Sequence, residues 1–250
     1  MRIIEIDKER FFCAKERART ERGQSQGIGT LGEKLLHSTL KYYFEPEREY
    51  HEIKHRGYVA DIMRDGRITE IQTAGIYKLR EKLCAYLSDA DVTVVCPFAM
   101  EKRIYVIDKA SGAVSGPRLS PKRSGELDLI SMLVGFEEYI STGRLTVLCV
   151  CLSVDEYRER APKGKYRPRA TVKIEGVPTD ILRITEFRNA EDYLAALPTE
   201  LSEVFTVKDL AKIMKRKSRY AQSVITLLLR LGVICRVGNS GRAYLYSKKA

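Results

Sequence analysis

VADIMRDGRITEIQT, residues 59 to 73, alternates polar and apolar positions around Asp65-Gly66. That dipeptide is a strong signal for a two-residue type I′ hairpin loop, in which both central residues need positive φ. With Asp65 and Gly66 as the loop, Arg64 faces Arg67, and the same register sets Asp61 opposite Glu70. The period of two then gathers Val59, Asp61 and Met63 on one face with Ile68, Glu70 and Gln72.

Two carboxylates on a face that also carries apolar side chains are costly. Facing residues bring their Cβ atoms to about 5 Å, where like charges destabilise a strand pair. At an effective dielectric near 20 the repulsion is roughly 3 kcal/mol. A divalent cation removes that penalty, and hard oxygen ligands select Mg²⁺ or Mn²⁺. Gln72 can add a carbonyl ligand or orient a water. The plain alternative is an exposed acid pair matched by Arg64, Arg67 and Lys54.

The surrounding chain limits the setting. At 250 residues it can bury a substantial core and is expected to hold two domains. Its net charge of +11 favours a polyanionic partner. The start, MRIIEIDKERFF, lacks the apolar core of a signal peptide, and no apolar run reaches membrane-spanning length. The longest, TVLCVCLSV at 146 to 154, reads as a buried strand carrying Cys149 and Cys151 as small buried thiols on one face. Six cysteines without a CxxC pair fit a reducing cytoplasm, and no membrane partner is expected.

Periodicity predicts a short strand at 2–6, a basic run to about residue 26 as helix or arm, and a helix over 31–44. Strands at 50–54, 58–64 and 67–73 follow, then a helix at 76–87 and strands at 92–96 and 103–107. A helix near 126–140 and a strand at 145–152 complete the first unit, giving an α/β (α+β) protein with the order α-β-β-β-α-β and additions. The stretch YRERAPKGKYRPRATVK, with seven Lys or Arg and two prolines, predicts a connector. The expected division is therefore 1–155, a basic linker at 156–185, and 186–250.

The pattern of Asp61, then Glu70-Ile71-Gln72, in a hairpin between two helices resembles the PD-(D/E)XK (restriction-endonuclease-like) nuclease superfamily. An acid on the first helix, Glu33 in GEKLLH, completes the likeness, which covers about residues 28–110. The resemblance implies an αβββαβ core with a mixed sheet and Mg²⁺- or Mn²⁺-dependent DNA cleavage. Asp61 and Glu70 would bind metal, and Glu33 would act through the metal's water shell. Gln72 stands where the superfamily usually has lysine; Lys78, at the start of the next helix, could supply the ammonium or be a solvated residue of KLREK. His37, one turn beyond Glu33, either lines the same cleft or is a half-buried polar residue. Such an enzyme would act in restriction, repair or defence against mobile elements, and would dimerise if it cuts both strands. The competing expectation is a catalytically inactive, nuclease-like DNA-binding regulator.

Residues 200–250 carry eleven Lys or Arg against three Asp or Glu, a net +8 of the chain's +11. Thr206-Val-Lys-Asp209 resembles a capping box opening a helix to about Met214, and Ser218 is expected to cap another to about Leu231. Ala221, Val224, Ile225 and Leu228 mark that helix's core side. With a strand at 233–236, turn residues Gly238 to Gly241 and a strand at 242–246, the plan is a winged helix-turn-helix. Arg219, Gln222, Ser223, Thr226 and Arg230 would then meet a DNA major groove, and Arg242 with the 238–241 turn its backbone or minor groove.

GIGTLGEK at 27–34 matches G-x-G-x-x-G, but the preceding run is polar and basic rather than a strand, so it fails as a dinucleotide fingerprint. His51 and His55, four residues apart on a strand, are too far apart to share a metal.

Overall fold

The computed structural model describes residues 1–23, 31–108, 111–160 and 171–249, with the side chains of 22–23 and 31–34 left out. Its order is β1 (Arg2–Ile4), α1 (Lys8–Gly23), α2 (Leu31–Phe44), β2 (His51–His55), β3 (Tyr58–Arg64) and β4 (Arg67–Ile71). A 3₁₀ turn (Ile76–Leu79) leads into α3 (Arg80–Tyr86), followed by β5 (Asp91–Ile107), β6 (Val114–Leu119), α4 (Glu126–Met132) and α5 (Glu137–Ser141). Then come β7 (Leu145–Arg160), β8 (Thr171–Phe187), α6 (Ala190–Ala195), β9 (Val204–Phe205), α7 (Val207–Met214), α8 (Ser218–Arg230), β10 (Ile234–Ser240) and β11 (Ala243–Lys248).

The large sheet runs β1-β8-β7-β5-β4-β3-β2, with β6 beside β5. It is mixed: β5 is parallel to both β4 and β7, while β2, β3 and β4 form an antiparallel meander. Alternate residues of the central strands serve opposite layers. Val94, Cys96, Val147, Cys149 and Cys151 pack against α3, α4 and α5. Val95, Leu148, Val150 and Leu152 pack against α1 and α2. Burial on both faces is why the first halves of β5 and β7 are nearly continuous in apolar residues.

Three expectations are corrected. The segment 156–185 is not a linker: 145–160 and 171–187 are paired antiparallel strands, from Val147↔Phe187 out to Arg160↔Thr171. Backbone pairing needs no apolar side chains, so a basic composition hid these strands; residues 161–170 of the expected connector lie outside the described residues. The strands at 92–96 and 103–107 are one strand. Pro97 is tolerated within it because pairing to β4 ends at Val95, leaving that side of β5 free of a ladder partner until Arg103. The helix expected at 126–140 is two, split at Gly135 (φ 88°), where a Cβ would collide with the Arg80 guanidinium.

The C-terminal segment forms helices α6 to α8 and a three-stranded sheet ordered β10-β11-β9. Thr206 caps α7 in a reciprocal capping box with Asp209. Ser218 is the first residue of α8 rather than its cap, which is Lys217. Ala221, Val224, Ile225 and Leu228 are fully buried in the core layer that holds α3, α4 and α5. The expected turn 238–241 is mostly strand; β10 bulges after Arg236 and turns at Gly241-Arg242.

Candidate functional site

The hairpin register is as the sequence dictates, with Arg64↔Arg67, Met63↔Ile68 and Ile62↔Thr69 paired. Asp65 and Gly66 both have positive φ (50° and 72°), as a type I′ loop requires. Backbone pairing of β3 with β4 stops at Ile62↔Thr69, and Asp61 and Glu70 occupy the next position. There the ladder gives way to side chains. Asp61 Oδ2 accepts the backbone N–H of Ile71 at 2.8 Å and faces His37 Nε2 at 3.2 Å. The Glu70 carboxylate accepts from the backbone N–H of Asp61. The acids thus splice the two strands where the hairpin parts.

Their other partners come from opposite layers. His37 reaches Asp61 from α2, one helical turn beyond Glu33. Lys82 reaches Glu70 from α3, with Nζ 2.9 Å from Oε1 and 2.8 Å from Oε2. Glu70 is only 3% exposed. Burial, then the charge of Asp61, push its carboxyl above the ordinary glutamate value, against the opposing pull of Lys82. Burial works the same way on Asp61. There the hydrogen bond and charge of His37, the Ile71 amide and the charge of Lys41 outweigh it, and the carboxyl stays below the ordinary aspartate value.

Tyr86 lies on the far side of Lys82 in the same helix, its ring centroid 5.9 Å from Lys82 Nζ. It is fully buried, its hydroxyl has no hydrogen-bond partner among the described residues, and burial with the charges of Glu70 and Asp61 raises its pKa. A buried polar atom without a partner beside two carboxylates marks a place suited to a polar guest.

The remaining expected site residues are spread around this pair. Gln72 lies past the end of β4, its N–H on Val95 O at 2.8 Å and its side-chain amide donating to the Ala74 carbonyl. Lys78 is exposed on the 3₁₀ turn, its stem packed over Gly75. Glu33 lies in the first turn of α2, its side chain outside the described residues, as is most of the 27–34 glycine stretch. Lys82 was missed, and its signal was present: it lies one turn beyond Lys78 in the same KLREK run. His51 and His55 serve separate partners, the Glu45 carbonyl and Asp89.

In the C-terminal segment Arg219 and Gln222 are exposed on α8, while Ser223 and Thr226 are half-buried. Arg219 stacks on Tyr220, Gln222 donates to Thr226, and Ser223 bonds back to the Arg219 carbonyl. Arg242 stands exposed at the hairpin tip and, with Ser218, Gln222 and Tyr244, lines an open cleft of about 420 Å³. Arg230 points elsewhere, pairing with Glu137 of α5 at 3.2 Å. Arg216 is likewise engaged, with Nε 2.9 Å from Asp128 of α4.

These features define a mixed α+β protein with a buried Glu70 and a half-buried Asp61 on two interior strands of the sheet, where their pairing ends, and a basic helical segment sharing its core. The chain belongs to the family described as a domain of unknown function (DUF8091), whose sequence model matches residues 34–188. The match runs from α2 to the end of β8 and includes Asp61, Glu70 and Lys82. The chain is similar to an uncharacterized protein of Treponema pallidum (strain Nichols), 28% identical over 225 residues that cover 89% of this chain and 88% of the other. No solved structure matches. Among the described residues no helix is long and apolar enough to cross a membrane.

Proposed function

We propose that the protein is a metal-dependent DNA endonuclease of the PD-(D/E)XK type, whose C-terminal segment acts as a winged helix that positions the DNA. One observation carries this reading: Asp61 and Glu70 meet where the hairpin parts, with an ammonium, Lys82, on Glu70. The α2-β2-β3-β4-α3-β5 order around them supports it.

The residues present fit a divalent cation. They offer hard oxygen donors, a Glu70 carboxyl raised by burial and then by the charge of Asp61, and the hydroxyl of Tyr86, unpartnered among the described residues. Asp61 and Glu70 would hold Mg²⁺ or Mn²⁺, which when bound supplies a water of lowered pKa and polarises a phosphoryl oxygen. Asp61 is kept ionised by His37 and the Ile71 amide, ready to act as a ligand. Lys82 would be the cation that steadies a scissile phosphate, a role for which the resemblance offered Lys78 as one of two readings. Glu33 would assist from α2, and Gln72 would orient a water once released from Ala74. Arg219, Gln222, Ser223, Thr226 and Arg242 would contact DNA, Arg230 only after leaving Glu137. Cytoplasmic action, and dimerisation for cutting both strands, belong to the same proposal.

The test is purified full-length protein with Mg²⁺ or Mn²⁺ on linear, supercoiled, branched and single-stranded DNA, beside Asp61→Ala. Metal-dependent cutting lost in the variant is expected. No cutting on any substrate, or equal cutting by the variant, overturns the nuclease.

A second reading is an inactive nuclease-like DNA-binding regulator. It is favoured by Gln72, whose amide is tied to Ala74, and by Lys82, which already neutralises Glu70. DNA binding without cutting in that assay selects it.

A further inference from the structure

A second cluster of chemistry-bearing side chains lies beneath α4, away from Asp61 and Glu70. Cys149 and Cys151 project from the same face of β7, and both are fully buried. Alternate residues on a strand are spaced by roughly 6.6 Å. Yet the two sulfurs have turned toward each other and lie 3.9 Å apart. Two thiolates about 2.3 Å from a tetrahedral zinc ion sit about 3.8 Å from one another. Glu126, the first residue of α4, joins them: one carboxylate oxygen and both sulfurs lie within 4.8 Å of one another.

We propose that Glu126, Cys149 and Cys151 form a zinc site that pins α4 to β7, with its fourth position facing the cleft between the sheet and the C-terminal segment. The supporting contacts are those of a metal ligand's outer partners. Arg183 Nε and Nη2 hold the two Glu126 oxygens at 2.7 and 2.8 Å, and Thr185 Oγ1 donates to Oε1 at 2.8 Å. The charges balance: two thiolates and a carboxylate against one guanidinium and a divalent ion. Soft sulfur donors select zinc over the magnesium class of ion, so the site is chemically distinct from the hairpin acids.

Access is through an open cleft of about 500 Å³ lined by Met100, Gly125, Glu126, Arg183 and Met214. Gly125 lies over the sulfur: a Cβ there would be 3.7 Å from Cys151 Sγ. The consequence is mechanical. Helix α4 is the platform of the C-terminal segment, packing on α8 and holding Arg216 through Asp128. A zinc ion beneath it would fix where that segment stands on the sheet.

The experiment titrates full-length, reduced, metal-free protein with zinc and, in parallel, with cobalt(II). Expected are one tightly held ion per chain and a thiolate-to-cobalt charge-transfer band. Cys151→Ser and Cys149→Ser should each abolish the band, and Glu126→Gln should weaken binding at least tenfold. Cys96→Ser, Cys235→Ser and Asp61→Ala should retain it. X-ray absorption on the wild-type zinc form, expected to show two sulfur neighbours, decides the matter even if a cysteine variant fails to fold. No stoichiometric ion, no sulfur in its shell, or an unchanged band in Cys151→Ser overturns the site.

Discussion

Lys82 grips both oxygens of Glu70, at 2.9 and 2.8 Å, from the first turn of α3, the helix that follows the acid hairpin. Lys78, one turn earlier, is exposed. The difference follows from the 3₁₀ turn at Ile76–Leu79, whose tighter winding aims Lys78 outward before α3 begins at Arg80. Replacing Lys82 by Met should therefore lower any metal-dependent cleavage by about 10²-fold or more, the scale of losing one preorganised charge-stabilising donor. It should also cost about 1–3 kcal/mol of stability, by leaving Glu70 buried without its partner. Lys78→Met should do neither. Initial rates and urea unfolding of the two variants check both parts.

Arg230 is tied to Glu137, whereas Arg219 is exposed and rests on Tyr220, and Arg242 is exposed at the hairpin tip. Arg219→Ala and Arg242→Ala should each weaken binding to unrelated duplexes and flatten the log-affinity against log-salt slope by about 1. Arg230→Ala should change it less, and Glu137→Gln should tighten binding by releasing Arg230. Fluorescence anisotropy across a salt series measures all four.

The C-terminal helices share a core layer with α3, α4 and α5. Unfolding should therefore be one cooperative transition. Leu228→Ala, at a fully buried position of α8, should lower stability by about 2–5 kcal/mol for the whole chain. Calorimetry that resolves two independent transitions, with only one moved by the substitution, would contradict this.

His51, cross-strand from Ile62, provides a pH test at a group outside the acid pair. Burial lowers its pKa, against the partial support of its bond to the Glu45 carbonyl. A depressed histidine means that the folded state binds fewer protons than the unfolded one. Its contribution is complete above the unfolded pKa, about 6.5, and is lost as pH falls from there toward the folded pKa. Between about pH 7.5 and about pH 5 the wild type should lose more stability than His51→Gln. Denaturant midpoints at the two values read the difference.

Much of this was legible because short-range rules governed it. The hairpin register follows from Asp65-Gly66, α2 spans Leu31–Phe44 as its apolar spacing predicts, and the Thr206 capping box forms as written. What escaped was decided at long range. Strand β8 is specified by its ladder to β7 rather than by its own composition, and β5 continues through Pro97 because its neighbour ends first. The acid pair was visible, and His37 was legible as one of two readings, a residue of the same cleft one turn beyond Glu33; that Lys82 rather than Lys78 of the KLREK run turns inward was decided by packing. Cys149 and Cys151 were correctly placed as buried thiols on one face, yet only folding sets Glu126 beside them.

The central claim is that Asp61 and Glu70 hold a divalent cation, and crystals of the full chain soaked in Mn²⁺ test it most directly. An anomalous peak bridging the two carboxylates, with Lys82 Nζ moved off Glu70, is the expected result. Crystals that diffract well, show no peak there at millimolar Mn²⁺ and keep Lys82 on Glu70 would contradict it.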